Sequence, residues 1–486
     1  MIIVTVKTAG RPPVCTVAIS GPGINEKGEL RLELQEIDEQ KRNEKFIRMT
    51  QMPIQKIIPR MAVPTIISML ISSFYNMVDT IYVGHLDNTE SSAAVGVAFS
   101  FMALIQAIGF FFGHGSGNFI SRSLGKKEYD KAKNMAATGF FLPIAVGTLI
   151  MVLGLLFTTP LSRMLGATET ALPYTNSYLR WLLLGTPFMM SSLVMNNQLR
   201  LQGSAQIAMV GITFGAVLNI ALDPVFIFKL GMGVGGAALA TIISQFISWL
   251  LLLGGCAQKG NISISLKNLS PHIWQFGEIV RCGLPSLCRQ GIASVAVIAL
   301  NWAVKGYGDS AIAAFSIVSR ITTFAGSAMI GFGQGFQPVC GFSYGAGLYE
   351  RVVKAFWFCV KVSTVILVLL SVAGFILAPG LISLFRSGDP LLIAIGSRAL
   401  RYQCLSFPLT GLIIMANMML QNIGKTLPAS VLAMGRQGVF FLPLLPLLSA
   451  SAGLTGIEFA QPAADILTFA LAIPLSCHAV KQMRAL

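Results

Sequence analysis

Apolar stretches long enough to cross a bilayer recur along almost the whole chain, from Ile57 to Cys477. Each is roughly 20 residues or longer, and charged or Gly/Pro-rich loops divide them into about twelve. Only 11% of the 486 residues are charged and 54% are hydrophobic, whereas about a quarter of the residues of a soluble protein are charged. The sequence therefore predicts an all-α polytopic membrane protein with twelve transmembrane helices.

The basic residues indicate how these helices are oriented. The net charge is +15, but the charges are spread over short loops and form no basic arm interleaved with aromatic residues, so no nucleic-acid partner is expected. An even number of helices places both termini on one side, and the positive-inside rule places them in the cytoplasm of a multi-pass protein of the bacterial plasma (inner) membrane. The loops on that side hold Arg122, Lys126, Lys127, Lys131, Lys133, Lys259, Lys267, Arg281, Arg351, Lys354 and Lys425.

The chain contains an internal repeat. The segment that starts at Ala93 aligns without gaps to the segment that starts at Ala313, 220 residues later. Glycine and proline pairs keep nearly this offset through most of the membrane region: Gly113/Gly333, Gly115/Gly335, Gly125/Gly345, Pro187/Pro408 and Gly203/Gly424. Duplicated halves are common in transporters and predict two pseudo-symmetric lobes of six helices. The glycines inside the apolar helices indicate close helix packing.

The repeat predicts four segments. Residues 1–50 form a polar extension that we expect to be disordered, because residues 24–48 hold seven acidic residues among basic ones. Residues 51–257 form the N-terminal lobe, 258–277 a cytoplasmic connector, and 278–486 the C-terminal lobe.

Acidic residues inside apolar helices are candidate functional residues, because a charge in hydrocarbon is costly. Asp79 follows Asn76 by three residues and Asp223 follows Asn219 by four, so each pair shares one face of a helix. Their oxygens suit a hard cation such as Na⁺, and the carboxylates could instead exchange a proton. Pro224 removes a helical hydrogen bond beside Asp223 and frees a carbonyl group. The alternatives are a solvent contact for Asp79 and a structural hydrogen bond for Asp223.

Two further acids lie on the last apolar segment. Glu458 and Asp465 are seven residues apart and therefore share a helix face. They form either a binding site for cationic drugs or structural pairs, and the sequence leaves both open. With Asn76, they are the candidate substrate-binding residues.

The sequence resembles the multidrug and toxic compound extrusion (MATE) transporters over roughly residues 52–480. Three motifs carry the resemblance: Pro64…Asn76-x-x-Asp79…Gly84, the run from Ile120 to Gly125 with a basic loop behind it, and Asn219-x-x-x-Asp223-Pro224. The ending from Gly453 to Phe469 resembles a bacterial multidrug subgroup in which the final helix carries the aspartate found here as Asp465.

This resemblance implies two lobes in a V around a central cavity, with export of bulky, often cationic amphipathic compounds in exchange for inward Na⁺ or H⁺. It implies a cation site in the N-terminal lobe, which in this sequence consists of Asp79, Asn219, Asp223 and Thr241, with Na⁺ as the metal it would hold. No cofactor other than the coupling ion is expected. We expect a monomer whose partners are small-molecule substrates and membrane lipid.

Two other functions were considered. A lipid-linked oligosaccharide flippase of the same superfamily would need basic residues in its cavity, and the interior candidates are Arg289, Arg320 and Arg436. An intramembrane enzyme would need a buried nucleophile with a base, and the sequence offers no such pair. The sequence therefore predicts a transporter and not an enzyme.

Overall fold

A computed structural model describes residues 26–84, 89–269, 272–385 and 389–486. Within these ranges the chain is helical and contains no β-strand, which confirms the all-α prediction. The helices are α1 (Glu26–Gln51), α2 (Ile54–Gly84), α3 (Thr89–Gly125), α4 (Tyr129–Leu156), α5 (Thr158–Met164), α6 (Leu172–Leu201), α7 (Ala205–Pro224), α8 (Gly233–Cys256), α9 (Ile273–Val304), α10 (Asp309–Gly345), α11 (Tyr349–Phe385), α12 (Pro390–Asn422), α13 (Thr426–Met434) and α14 (Phe441–Arg484).

Twelve membrane-crossing segments result from these helices. Ten segments of the described chain are long and apolar enough to span a bilayer, and the last of these runs continuously from Thr426 to Arg484. It divides into two at Gly453, whose backbone leaves the helical conformation (φ 59°, ψ −132°). The 30-residue helix α6 is the twelfth, and its polar buried side chains, such as Gln198 and Arg200, lower its apolar character.

Each lobe is organised around one central helix. In the N-terminal lobe α6 packs against α3, α4, α7 and α8, and in the C-terminal lobe α12 packs against α10, α11, α13 and α14. The repeat extends to hydrogen bonds: the Asn196 side-chain amide donates to the Ala208 carbonyl (3.0 Å), and that of Asn417 donates to the Ala429 carbonyl (2.7 Å). The residue boundaries given above for the lobes stay predictions.

The repeated glycines lie where the two lobes meet. A Cβ atom on Gly115 would lie 2.5 Å from the Ile279 carbonyl oxygen of α9, and one on Gly335 would lie 2.4 Å from the Ala62 Cα of α2. The main chains of opposite lobes approach too closely there for any side chain. These glycines therefore serve close helix packing.

The lobes are in contact at the end that carries the basic loops. A Cβ on Gly125, at the end of α3, would lie 2.3 Å from the Phe342 carbonyl oxygen, and one on Gly345, at the end of α10, would lie 2.1 Å from that of Arg122. If the positive-inside prediction holds, this closed end faces the cytoplasm.

The expectation of a disordered extension over residues 1–50 is wrong for its second half. Residues 26–51 form helix α1, while residues 1–25 lie outside the described part of the chain. A polar helix gains little from its own side chains, so its stability must come from docking. Sequence reasoning missed the helix because its partners are loops more than 150 residues away.

Helix α1 docks on both lobes at the closed end. The Lys45 ammonium donates to Ser204 Oγ (2.9 Å) and to Asn261 Oδ1 (2.6 Å), which lie after α6 and in the connector. From α11 in the other lobe, the Arg351 guanidinium donates to the Met49 carbonyl (3.2 Å). Burial, followed by the nearby Arg48 charge, lowers the pKa of Lys45 to about 7.

Candidate functional site

A buried polar cluster joins α7 and α8 in the N-terminal lobe. The Asn219 amide nitrogen donates to Asp223 Oδ1 (3.2 Å) and lies 3.4 Å from Thr241 Oγ1. The Thr241 hydroxyl donates to the Ala237 carbonyl (3.0 Å). All three side chains are buried, with Asp223 fully so. The structure therefore brings together three of the four residues of the candidate cation site.

The cluster presents oxygen atoms of the kind that a hard cation binds. The Asn219 amide donates with its nitrogen, which leaves its carbonyl oxygen buried and without a hydrogen bond from the described residues. Such an oxygen is costly unless a ligand or water satisfies it. Together with the Asp223 carboxylate and the Thr241 hydroxyl, it is chemically suited to Na⁺.

The helix that carries Asp223 changes its geometry one residue later. Pro224 has no N–H group and ends α7, and the chain continues as a π-helical turn over Val225–Lys229. Helix α8 passes close to this turn: a Cβ on Gly236 would lie 2.7 Å from the Phe226 carbonyl oxygen. The expected distortion beside Asp223 is therefore present, and it adjoins the helix that carries Thr241.

Asn76 and Asp79 lie on α2, and their side chains fall outside the described part of the structure. Helix α2 packs against α7. The approach of Asp79 to Asp223 stays a prediction.

The two acids of α14 are paired with arginines. Glu458 accepts two hydrogen bonds from Arg398 of α12, at 2.6 and 2.9 Å. Asp465 accepts from Arg436 (2.7 Å) and from Ser406 (2.9 Å). Both carboxylates are fully buried. Of the two alternatives that the sequence left open, the geometry supports structural pairing.

The sequence shows that Arg398 and Arg436 lie in apolar segments, but it does not show which acid each arginine pairs with. An arginine within an apolar helix is as costly as a carboxylate, so each calls for a partner. Arg398, which lies inside α12, was not among the residues singled out from the sequence, and Arg436 was a candidate only for binding an anion. Because the pairs are 60 and 29 residues apart, the pattern of one helix could not show them.

The C-terminal lobe contains a cavity of about 430 Å³ between α9, α10, α12, α13 and α14. This volume lies within the range of small-molecule sites. Its polar lining includes Arg289, Gln290, Ser319, Thr322, Asn417, Arg436, Gln437, Glu458 and Gln461. The Arg289 guanidinium makes no hydrogen bond or ion pair with the residues that the structure describes.

A buried polar seam joins the two lobes. Arg200 of α6 donates to Gln337 Oε1 (2.7 Å) and to the Gln334 carbonyl (2.8 Å), both on α10 of the other lobe. His114 of α3 lies 3.3 Å from Arg200 and bonds Ser286 of α9 (3.1 Å). Neither His114 nor Arg200 was predicted from the sequence to be functional.

Two similar six-helix lobes, with a buried oxygen cluster in one and a drug-sized cavity in the other, define the architecture of a secondary transporter. The MatE family pattern matches residues 64–225 and 285–447. The multidrug export protein MepA of Staphylococcus aureus is 27% identical over 419 residues, which cover 86% of this chain and 92% of that protein.

Solved structures agree with this assignment. The crystal structure of a MATE protein in complex with MaL6 has a TM-score of 0.86 and 27% identity, and the match covers 91% of this chain and 99% of the other. An outward-facing multidrug resistance MATE transporter of the MOP superfamily has a TM-score of 0.85 and 28% identity, with 90% and 99% covered. The chain belongs to the MatE family, as its motifs indicated, and its twelve-helix, two-lobe architecture is confirmed.

Proposed function

We propose that this protein exports amphipathic small molecules, including cationic drugs and toxic compounds, in exchange for inward Na⁺ or H⁺. The main support for coupling to a cation is the buried cluster of Asn219, Asp223 and Thr241, to which Asp79 would contribute a second carboxylate. The similarity to multidrug export proteins supports the substrate class. The protein would act as a monomer in the bacterial plasma membrane with both termini in the cytoplasm.

Each part of the cluster has a role in this proposal. Asp223 and Asp79 carry the negative charge that an entering cation neutralises, and Asn219 and Thr241 supply neutral oxygens. The ion drives transport only if it binds one arrangement of the lobes more tightly than the other. Repacking of α7 at Pro224 and its π-helical turn would provide such a difference.

The flippase alternative is not favoured. Of its three candidate arginines, Arg436 is already paired with Asp465, and the similar proteins named above are multidrug exporters or MATE transporters.

The test is efflux of ethidium from cells that express equal membrane amounts of wild type, Asp79→Asn and Asp223→Asn, with and without Na⁺. Asp130→Asn is the matched control, since its carboxylate is 94% exposed on α4. We expect export by wild type and by the control, and loss of export in the other two variants. A requirement for Na⁺ would identify the ion. Wild-type export by Asp223→Asn would refute the proposed coupling site.

A further inference from the structure

One arginine of the C-terminal cavity has no acidic partner. Arg289 lies on α9, is partly exposed, and lines the cavity. No hydrogen bond or ion pair ties it to any residue in the described ranges. A charged group at membrane depth is costly without a partner, so an unpaired one indicates a ligand or a transport path.

Among the described residues, the other charged side chains that line the cavity, Arg436 and Glu458, are each paired. Arg398 is bound through two hydrogen bonds to Glu458, and Arg436 is bound to Asp465. The two carboxylates are therefore not available to attract a cationic group. Among the described residues, the charge that remains at the cavity is that of Arg289.

The surroundings of Arg289 add positive potential. The guanidinium of Arg289 interacts electrostatically with Arg200 and with His114, which belong to the seam that joins the lobes. The positive charges of the two arginines therefore reinforce each other. Arg200 is itself fully buried, and its described partners are amide and carbonyl oxygens and a histidine, not carboxylates. The region around Arg289 therefore attracts an anionic group.

The remainder of the cavity is suited to an apolar body. Its walls include Ala293, Val297, Leu300, Phe315 and Ile414. Gln290, one residue from Arg289, also lines it and adds an amide that could donate to the same anion. An occupant that satisfies both regions has a flat or branched apolar body and one anionic oxygen group.

We propose that this cavity binds amphipathic compounds that carry a carboxylate and that Arg289 binds this carboxylate. The inference rests on the proposed export function, for which it names a substrate class. A guanidinium binds a carboxylate through paired, charge-assisted hydrogen bonds, which makes recognition directional as well as electrostatic. Zwitterionic compounds belong to this class, since a cationic group can point away from Arg289.

Two dyes that differ at one group provide the test. Rhodamine 110 carries a carboxylate, and rhodamine 123 is its methyl ester. Binding of both is measured by fluorescence polarisation on the purified full-length protein in detergent, without an ion gradient. We expect wild type to bind rhodamine 110 about tenfold more tightly, as one charge-assisted contact would give. Arg289→Gln should lose this preference, and Arg289→Lys should keep part of it.

The controls separate the anion site from folding and from ion coupling. Arg401→Gln removes an exposed arginine of α12 that contacts Phe375 outside the cavity, and this variant should keep the preference. The binding assay uses no ion gradient, so its outcome does not depend on coupling. If the protein does not export ethidium but still prefers rhodamine 110 over its ester, the result counts against the proposed export function and not against the anion site.

Three results would overturn the inference. The first is equal binding of rhodamine 110 and its ester, including no binding of either dye. The second is an Arg289→Gln variant that keeps the preference of wild type. The third is loss of the preference when phosphatidylglycerol is added to the micelles, which would assign the anionic group to a lipid headgroup.

Discussion

Charged side chains inside the helices occur in three different environments. Asp223 lies among amide and hydroxyl groups, Asp465 is paired with Arg436, and Arg289 lines a cavity without an acid among its described neighbours. Buried pairs hold structure together, because removing one partner leaves the other charge uncompensated. Arg289, which has no such pair among the described residues, is available to a substrate.

The pairing of Asp465 predicts a structural phenotype. Asp465→Ala removes the acceptor of Arg436, Ser406 and Gln461, which come from three parts of the C-terminal lobe. We expect a loss of about 2–3 kcal/mol in stability, measured as a lower melting temperature of the detergent-purified protein. Asp465→Asn should lose less, because its side-chain oxygen still accepts. A wild-type melting temperature with lost ethidium binding would instead indicate a substrate contact.

Helix contacts between the lobes depend on the absence of side chains at a few positions. The closest approaches, at Gly125 and Gly345, involve main-chain atoms of the opposite lobe, which cannot rotate away as a side chain can. The same glycines were recognisable in the sequence through their repeated spacing. The main-chain atoms that they contact were not, because these atoms belong to helices of the other half of the chain.

Gly345→Ala tests the close packing between helices of the two lobes. Its Cβ would lie 2.1 Å from the Arg122 carbonyl oxygen, so the lobes would have to move apart at the closed end. We expect a cost of about 1–3 kcal/mol, as for other overpacked sites, seen as a lower melting temperature. Gly380→Ala is the control, because a Cβ there meets open space on α11. Equal melting temperatures for the two variants would contradict the packing argument.

The whole molecule is closed at one end by groups from both lobes. Arg200 bridges from α6 to α10, and α1 lies across the same end with contacts to the connector and to α11. Alternating access requires this end to open, so these contacts must break together in each transport cycle. The energy of this interface therefore contributes to the balance between the two states.

The bridge can be weakened without changing Arg200. Gln337→Met removes the side-chain oxygen that accepts from Arg200 at 2.7 Å and leaves a buried guanidinium less satisfied. We expect a cost of about 1–3 kcal/mol to the closed end. Gln334→Met is the matched control, since Gln334 accepts from Arg200 through its main-chain carbonyl, which the substitution keeps.

The measurement is a distance distribution between spin labels at Lys131→Cys and Lys354→Cys, which are exposed near the closed end of each lobe. Gln337→Met should add longer distances to the distribution, and Gln334→Met should not. An unchanged distribution in Gln337→Met would show that the seam does not set the balance between states.

The fold could be read from local patterns. Runs of apolar residues define the helices, because each must match the thickness of the bilayer, and the ordered glycine pairs reveal the duplication. The motif at Asn219 and Asp223 was also visible, because i and i+4 positions share a helix face.

Tertiary structure alone decided which charges are neutralised. Whether Glu458 and Asp465 attract a drug or hold two helices together depends on Arg398 and Arg436, which approach only when α12, α13 and α14 pack. Docking of α1 depends in the same way on loops from distant parts of the chain. Helix periodicity fixes which side of a helix a residue lies on, but the electrostatic role of a buried charge depends on groups brought close by packing.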